Sequence, residues 1–198
     1  MSDPSRALVV FCHPLEESFA AALRERALAG LRARAAEVRL TDLYALGFDP
    51  TFTTDEHRHH LRPGVDPAVQ AHADDLLWCD TLVLVYPTWW SGQPAMLKGW
   101  FDRVLGCDVA WSLEEGASRL SGRLHNVRRL VVVTSHGSSK LVNALQGEGG
   151  KRTVTRSLRL VCHPRARTTW LALYGIDTCP PSRRQRFLDR VERRLQRG

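Results

Sequence analysis

Residues 7–12 have the sequence ALVVFC, an unbroken apolar run with the length of a β-strand. Such a run is typical of a strand that is buried on both faces of a parallel sheet. The loop 13–17 follows, and then Ser18, a residue type that is favoured as the N-cap of a helix. From Phe19 to Leu31 an apolar residue recurs at every fourth position, which is helical spacing. The stretch therefore predicts a buried strand, a short loop and a helix.

The rest of the chain repeats this alternation of strand and helix. Further strands are predicted at residues 37–44, 81–86, 130–134 and near 168–173. Helices are predicted from Asp66-Pro67 toward Trp78, from Pro94 through Leu105, and after Ser182 as the cap of the last segment. Right-handed crossovers between successive parallel strands convert this order into one doubly wound sheet. We therefore expect an α/β fold, a five-stranded parallel sheet with helices on both faces.

The length and composition favour one domain. With 198 residues and 43% hydrophobic content, the chain can bury one sizeable core and is short for two ordinary domains, so residues 1–198 are taken as one unit. The apolar runs are far shorter than the ~20 residues needed to cross a bilayer. The first five residues show no basic region followed by an apolar stretch, so no signal peptide is predicted. These features predict a cytoplasmic protein without membrane insertion.

Cysteine usage and charge narrow the functional classes. The five cysteines are scattered and lack Cys-x-x-Cys spacing, so free thiols are expected. The net charge is +7, and arginines crowd residues 183–197, a pattern that raises the question of nucleic-acid binding. In the same segment Phe187, Leu188, Val191 and Leu195 recur at helical spacing. We therefore interpret the segment as an amphipathic helix with a solvated basic face and expect no nucleic-acid partner.

Doubly wound sheets bind ligands beyond the carboxyl ends of their strands, so the loops after the first, third and fourth predicted strands form the candidate site. The first loop ends at a helix N-terminus, which suits a phosphate group, and His13 and Ser18 can add hydrogen bonds. Alternatively, Ser18 only caps the helix and His13 only turns the chain. The loop has neither G-x-G-x-x-G nor G-x-x-x-x-G-K-S/T, and this absence favours a flavin phosphate or diphosphate.

The other two loops carry aromatic and small polar residues. Residues 86–94 have the sequence YPTWWSGQP, in which Trp89 and Trp90 can stack on a planar ligand. Alternatively, one tryptophan packs under the following helix and the other covers a dimer contact. Residues 134–139, TSHGSS, offer hydroxyls, amides and a glycine to the polar edge of a flavin ring, although this composition is also ordinary for a turn.

Residues 87–104, PTWWSGQPAMLKGWFDRV, closely resemble the signature of the flavodoxin-like NAD(P)H dehydrogenases (quinone), the quinone reductase family. His13-Pro14 followed by Ser18-Phe19, and Gly47-Phe48-Asp49-Pro50 after the second strand, are similar to other landmarks of that family. The similarity spans nearly the whole chain. The resemblance implies a flavodoxin-like fold and a homodimer that binds FAD or, alternatively, FMN.

The resemblance also implies an activity and a set of residues. The bound flavin would take a hydride from NADH or NADPH and pass it to a quinone or related acceptor in a ping-pong, two-electron cycle. Matching positions assign the phosphate region to His13, Ser18, Phe19 and Ala20, and the isoalloxazine to Pro87, Thr88, Trp89, Trp90, Ser91, Thr134, Ser135, His136 and Gly137. Trp111 would wall the acceptor pocket, and Arg184 loosely matches a position that reaches the adenosine half of FAD.

Two positions depart from the best-known members of the family. Those members place a tyrosine and a histidine beyond the fourth-strand loop to steady charge on the flavin, whereas this chain has Asn143 and Gly149 there. The departure favours backbone amides as the stabilising groups. His136 replaces a glycine, and the sequence leaves open whether its ring enters the site as a donor or turns to solvent.

Two other clusters invite catalytic interpretations. Residues 55–60, DEHRHH, are of types that bind first-row metals, but their spacing is typical of a solvated connector, so no metal is predicted. Cys107 and the Cys162-His163 pair have no evident orienting acid, so buried and inert cysteines are expected.

Three function classes therefore follow from the sequence, and a flavin quinone reductase is favoured. A flavin-bearing regulatory subunit of a membrane transporter of the potassium-efflux type, which the family also contains, would share every flavin feature. A basic nucleic-acid-binding protein would instead be colourless and would bind in a steeply salt-dependent way.

Overall fold

The computed structural model describes residues 5–197, so the expectation about a signal peptide concerns residues that lie mostly outside this range. The strands are β1 (Arg6–Phe11), β2 (Glu37–Asp42), β3 (Thr81–Pro87), β4 (Trp111–Ser112), β5 (Ser121–Gly122), β6 (Arg129–His136) and β7 (Arg167–Tyr174). The helices are α1 (Phe19–Ala33), α2 (Thr54–His59), α3 (Gln70–Trp78), α4 (Ala95–Val104), α5 (Lys140–Leu145), α6 (Gly149–Arg152), α7 (Arg159–Val161) and α8 (Pro181–Gln196). Short 3₁₀ turns precede α3 and α8, and a π-helical segment, Thr153–Leu158, joins α6 to α7.

The five long strands form one parallel sheet in the order β2-β1-β3-β6-β7. From β1 the chain moves outward to β2 and then returns to place β3 on the other side of β1. The strand order therefore reverses between β1 and β3, and this reversal is where doubly wound sheets bind their ligands. The predicted α/β fold, a five-stranded parallel sheet with helices on both faces, is confirmed. β4 and β5 form a separate antiparallel pair.

Each face of the sheet has its own core. On one face, Leu8, Val10 and Leu84 pack in a cluster with Leu76 of α3 and Trp100 of α4. On the other face, alternate residues of the same strands pack against α1 and α8 in a second buried cluster. Because both faces are covered, the central strands need apolar residues at every position. This requirement explains the unbroken run at residues 7–12.

The arginine-rich last segment is an amphipathic helix, as expected. Phe187, Val191 and Leu195 of α8 are buried in the core that α8 shares with α1. The two helices approach closely at Gly30, where a Cβ atom would overlap the backbone carbonyl oxygen of Glu192. None of the helices described is both long enough and apolar enough to cross a membrane.

Several helix starts differ from the predictions. Ser182 does not cap α8, because Pro180 is the N-cap and the helix already includes Pro181. Pro94 likewise stands at the N-cap of α4, outside its first turn. The segment 55–60 is largely helical and not a simple connector, since Thr53 and Glu56 form a capping box that starts α2. α5 to α7 and the small β4–β5 pair were not predicted, because these elements are too short to show a periodic pattern.

The signature segment owes part of its sequence to packing. α4 lies directly against the loop that contains Asp49 and Pro50, and a Cβ atom on Gly99 would overlap the backbone of Pro50. Arg103 donates from Nη1 to the carbonyl oxygen of Asp49 at 2.7 Å and from Nε to Oε1 of Glu56 at 2.7 Å. The glycine and the arginine of the signature therefore hold the loop after β2 and the start of α2 against α4.

Candidate active site

The loops after β1, β3 and β6 meet at the carboxyl edge of the sheet. The backbone N–H of Thr88 donates to the carbonyl oxygen of Ser135 at 2.8 Å, and the hydroxyls of Thr88 and Thr134 are 3.0 Å apart. The rings of His13 and Trp89 approach to 6.1 Å between centroids. The structure therefore brings the three predicted loops together.

The first loop presents the N-terminus of α1. Ser18 is its N-cap, and its Oγ accepts a hydrogen bond from the N–H of Ala21 at 3.1 Å. Phe19 and Ala20 open the helix, where backbone N–H groups have no intrahelical partner. The Nδ1 of His13 accepts from the N–H of Leu15 at 3.0 Å. Ser18 therefore caps the helix and His13 stabilises the turn, as the sequence alternative proposed. The Nε2 of His13, the Ser18 hydroxyl proton and the N–H groups of Phe19 and Ala20 are still available to bind an anion.

Two glutamates precede this helix, and Glu16 forms an ion pair with Arg24. The guanidinium contacts Glu16 at 2.9 Å, Glu25 at 2.9 Å and Asp42 at 3.0 Å, so three carboxylates share it. The hydrogen bond from Arg24 and its charge lower the pKa of Glu16 below its ordinary value. The first turn of α1 itself contains no acidic residue. The nearest acidic side chains therefore lie before the helix and on its outer face, while the first turn itself adds no negative charge.

The third-strand loop is a tight turn with an unusual backbone. Trp89 and Gly92 exchange backbone hydrogen bonds of 3.1 and 2.9 Å, and the central residues Trp90 and Ser91 have φ values of 48° and 62°. Positive φ at both central positions is the requirement of a type I′ turn, which usually selects asparagine and glycine. Each such residue costs on the order of 1 kcal/mol, and strain of this kind persists where the surroundings hold it.

Contacts with the segment 146–150 hold this turn. The Ser91 hydroxyl donates to Oε1 of Gln146 at 2.8 Å, and the Ser91 carbonyl accepts from the N–H of Gly150 at 3.0 Å. Trp89 is 42% exposed and Trp90 is fully exposed. The alternative in which one tryptophan packs under α4 is therefore wrong, because the turn projects both rings outward at the edge of the site.

His136 points into the protein, which answers the question that the sequence left open. Its ring is buried and stacks on Tyr174 at 4.5 Å between centroids. Its Nδ1 lies 2.8 Å from Oδ1 of Asn143, whose amide nitrogen donates to the carbonyl oxygen of Ser139 at 2.8 Å. Since that amide nitrogen is already a donor, the Oδ1 of Asn143 accepts, and Nδ1 of His136 carries the proton.

The remaining ring nitrogen faces the loop edge. Nε2 of His136 lies 3.4 Å from the hydroxyl of Thr88, beside a very small cavity that Tyr86, Gly92 and Trp170 also line. Burial lowers the pKa of His136, although the hydrogen bond with Asn143 works against this effect. The ring is therefore neutral near pH 7, with a proton on Nδ1 and a lone pair on Nε2.

Sequence reasoning missed the partnership of His136 with Asn143. Asn143 is buried and stands where the best-known family members have a tyrosine, while Gly149 opens α6. The sequence did contain one sign of this contact, because positions 136 and 143 both depart from the family pattern. The other predicted residues of these loops are at the same edge: Pro87 ends β3, and a Cβ atom on Gly137 would meet the Asp177 carboxylate at 2.8 Å.

Trp111 lines a different cavity, whereas Arg184 supports the turn beside the loop after β6. Trp111 donates from Nε1 to the carbonyl oxygen of Leu105 at 2.7 Å and lines a cavity of about 380 Å³ together with Phe52, His59 and Arg103. Nη2 of Arg184 donates to the carbonyl oxygen of Ile176 at 2.8 Å, so this arginine braces the connection between β7 and α8. The start of this connection contacts the loop after β6, because the N–H of Gly175 donates to the carbonyl oxygen of Ser138 at 3.0 Å. Trp111 lines no cavity with the loops that carry His13, Trp89 and His136.

The cysteines are buried and unpaired with one another. Burial raises the pKa of Cys12 and of Cys79 to about 12, and that of Cys162 to about 11. The Sγ of Cys162 donates to the carbonyl oxygen of Leu158. Within residues 5–197 no three His, Cys, Asp or Glu side chains are grouped as metal ligands. The thiols of Cys12, Cys79 and Cys162 are therefore protonated at neutral pH and unsuited to nucleophilic chemistry.

Comparison with known families decides the affiliation. The sequence model of a family described as having a flavodoxin-like fold matches residues 5–191. The chain belongs to this flavodoxin-like family. The flavodoxin-like fold that the signature at 87–104 implied is therefore confirmed.

Relatives of this flavodoxin-like chain include named oxidoreductases. NAD(P)H dehydrogenase [quinone] 1 of Rattus norvegicus is 27% identical over 96% of this chain and 76% of its own length. An uncharacterized NAD(P)H oxidoreductase of Haemophilus influenzae is 35% identical over 56% of this chain and 55% of its own length. The resemblance to the NAD(P)H dehydrogenases (quinone) is thereby confirmed at the level of the family.

Solved structures give the same result for this flavodoxin-like chain. An NAD(P)H:quinone oxidoreductase from Methanothermobacter marburgensis superimposes with a TM-score of 0.83 at 25% identity, covering 98% of each chain. An FMN-dependent NADH-azoreductase from Bacillus anthracis, solved in complex with FMN, has a TM-score of 0.76 at 15% identity and covers 98% of each chain. The second likeness concerns the fold alone.

Proposed function

We propose that this flavodoxin-like protein is a flavin-dependent NAD(P)H:quinone oxidoreductase that works by a ping-pong cycle. The observation that carries the proposal is the convergence of three features at one sheet edge: the open N-terminus of α1, the strained turn at Trp90-Ser91 and the inward-facing His136. The relatives named as quinone dehydrogenases support the same activity. The transporter-subunit alternative has no further observation in its favour among residues 5–197.

The donor set at this edge fits a flavin nucleotide. The amides of Phe19 and Ala20, with His13 and Ser18, form a phosphate site of the kind that helix N-termini provide. The segments 87–91 and 134–137 offer hydroxyls, backbone amides and exposed indole rings to a planar heterocycle. We propose FAD as the cofactor and FMN as the alternative, because the phosphate site serves both. A homodimer, which the resemblance implies, is part of this proposal.

When bound, the flavin supplies reversible hydride acceptance, so that one nucleotide can be oxidised and one quinone reduced in turn. The protein residues then bind, orient and shield. The helix end would hold the phosphate, and the exposed Trp89 and Trp90 would contact the ring system. The neutral His136 offers the lone pair of Nε2 as an acceptor beside the Thr88 hydroxyl. Trp111 borders the separate cavity, so its position within one subunit does not support the acceptor contact that the resemblance implied.

The first experiment is the visible absorbance spectrum of the purified protein after incubation with FAD or FMN and desalting. We expect retained flavin that bleaches on anaerobic addition of NADPH or NADH and recovers its oxidised spectrum on addition of a benzoquinone. The retained species identifies the cofactor, and the faster reductant identifies the preferred nucleotide. A colourless protein after desalting would overturn the proposal.

Substitution of Asn143 by aspartate tests the tautomer and orientation of His136. The carboxylate of Asn143→Asp would face Nδ1–H and favour the imidazolium, so the pKa of His136 should rise by at least about one unit. NMR titration of the His136 ring, assigned with His136→Gln, measures this change. Asn143→Leu removes the acceptor without adding charge and should not raise the pKa.

The same pair of variants connects His136 to catalysis. If His136 contacts the bound flavin, the pH profile of quinone reduction by flavin-loaded Asn143→Asp should move in the same direction as the ring pKa. A pKa that is identical in Asn143→Asp and in the parent protein would show that the two side chains are not hydrogen-bonded.

A further inference from the structure

The end of the sheet opposite the candidate active site carries a group of arginines. Arg129 and Arg167 are the first residues of β6 and β7 and are direct partners in the parallel register. Their side chains therefore leave the sheet on the same face, from strands about 4.8 Å apart. They line a cavity of about 280 Å³ with Arg128, Arg165 and Arg194. We name this feature the basic cavity.

The arginines of the basic cavity form no ion pairs within the described chain. None of its five arginines lies within 4.0 Å of a carboxylate oxygen of residues 5–197. By contrast, Arg24, Arg26, Arg39 and Arg103 all form ion pairs. Arg194 reaches only the hydroxyl of Thr169, at 3.4 Å. The nearby carboxylate of Asp80 partly offsets the charge of Arg129, but the hydrogen bonds that it accepts come from Ser5, the N–H of Arg6 and Thr81.

Buried donors at this end lack partners as well. Nη1 of Arg129 is buried, and no residue from 5 to 197 accepts a hydrogen bond from it. The same holds for Nε of the adjacent Arg34, which caps the other end of α1. Burial, with the charges of Arg34 and Arg194, lowers the pKa of Arg129 to about 10. A half-buried guanidinium that has a buried nitrogen without an acceptor and lies among like charges is unfavourable unless an anion completes it.

We propose that the basic cavity is a binding site for a small anion that bears a phosphate group. Guanidinium groups pair with phosphate through two parallel hydrogen bonds, and arginines on adjacent strands can grip different oxygens of the same group. The cavity is concave and near the lower end of the range for small-molecule sites. Its size fits a phosphate or diphosphate moiety better than the extended track that a nucleic acid needs.

This site is separate from the candidate active site. Arg129 and His136 are the first and last residues of the same strand, so the two sites are about 23 Å apart along it. Likewise, Ser18 and Arg34 cap opposite ends of α1. The proposal does not depend on flavin binding or on the proposed activity.

The test is calorimetric titration of the flavin-saturated protein with inorganic phosphate, pyrophosphate and glycerol 3-phosphate at fixed ionic strength. Saturating flavin would occupy the phosphate site at α1, and if no flavin binds, the comparison with the cavity variant still separates the two sites. We expect saturable binding of at least one of these anions, and the preferred one distinguishes free phosphate, a diphosphate and a phosphate ester as the source. The double variant Arg129→Gln/Arg167→Gln should bind it at least tenfold more weakly.

A matched control removes the same two charges elsewhere. Arg156 and Arg190 are exposed and lie outside the basic cavity, so Arg156→Gln/Arg190→Gln should keep the parent affinity. If both double variants lost anion affinity equally, the loss would be explained by net charge alone, and the proposal would be overturned. Tighter binding of a short single-stranded oligonucleotide than of pyrophosphate, abolished by Arg129→Gln/Arg167→Gln, would overturn it in favour of nucleic acid.

Thermal unfolding guards against a folding defect in the variant. In chloride, Arg129→Gln/Arg167→Gln should melt at the parent temperature or above it, because like-charge repulsion is relieved. Pyrophosphate should raise the melting temperature of the parent protein and of Arg156→Gln/Arg190→Gln, but not that of the cavity variant. If pyrophosphate raised the melting temperature of all three proteins equally, the proposed anion site would be wrong.

Discussion

Ser18→Asp is expected to weaken flavin binding at least about 100-fold without unfolding the protein. The aspartate would place a carboxylate at the N-terminus of α1, where the structure leaves the amides of Phe19 and Ala20 open. Two like charges about 4 Å apart near a protein surface repel by about 4 kcal/mol. Rotation of the aspartate side chain relieves part of this repulsion. Because a tenfold change in Kd corresponds to about 1.4 kcal/mol, the remaining repulsion is enough for the expected loss of affinity. Titration of the apoprotein by flavin fluorescence measures the effect.

Ser18→Asn is the matched control for this experiment. Aspartate and asparagine are both good N-cap residues, so both variants preserve the hydrogen bond that Ser18 now accepts from Ala21. The asparagine variant should bind flavin within a few-fold of the parent protein. Unchanged affinity in Ser18→Asp would place the phosphate elsewhere, even if the protein is yellow.

Arg103→Met is expected to lower the free energy of unfolding by about 3–5 kcal/mol. The side chains of Arg103 and Glu56 are each only 7% exposed, and the same guanidinium also bonds the carbonyl oxygen of Asp49. Methionine preserves most of the aliphatic packing but leaves the Glu56 charge buried without its partner. Urea unfolding monitored by circular dichroism measures the difference.

Lys98→Met is the control for Arg103→Met. Lys98 and Asp102 form an exposed pair on the same helix, with side chains 52% and 44% exposed. Its loss should change stability by no more than about 0.5 kcal/mol. Equal stability losses in the two variants would show that the Arg103–Glu56 contact does not hold α2 against α4.

The stability difference between Arg103→Met and the parent should also depend on pH. Burial opposes the ionised form of Glu56, but hydrogen bonds from Thr53 and Arg103 hold the pKa of Glu56 below its ordinary value. A carboxyl with a depressed pKa in the folded state stabilises the protein above its unfolded pKa of about 4.3. This contribution is lost as pH falls through the folded pKa. The difference between the two proteins should therefore shrink below about pH 4.

The loops of the site could be located from the sequence, but their internal geometry could not. Parallel strands end at the same edge, so the strand patterns at 7–12, 81–86 and 130–134 were enough to bring their following loops together. The positive φ values of Trp90 and Ser91 contradict the turn preferences of those residues. Contacts with Gln146 and Gly150, more than fifty positions away, hold the turn in this form.

The sequence by itself determined the class of fold, the order of its major elements and the edge that carries the site. These properties follow from hydrophobic periodicity within short segments. Such periodicity can be recognised in each segment without knowledge of its tertiary contacts. Only the tertiary structure decided that His136 turns inward to Asn143 and that Arg129, Arg167 and Arg194 gather without acidic partners among residues 5–197. The reason is that the orientation of a side chain and the pairing of its charge depend on which residues from distant parts of the sequence lie next to it. The packing of strands and helices decides which residues these are.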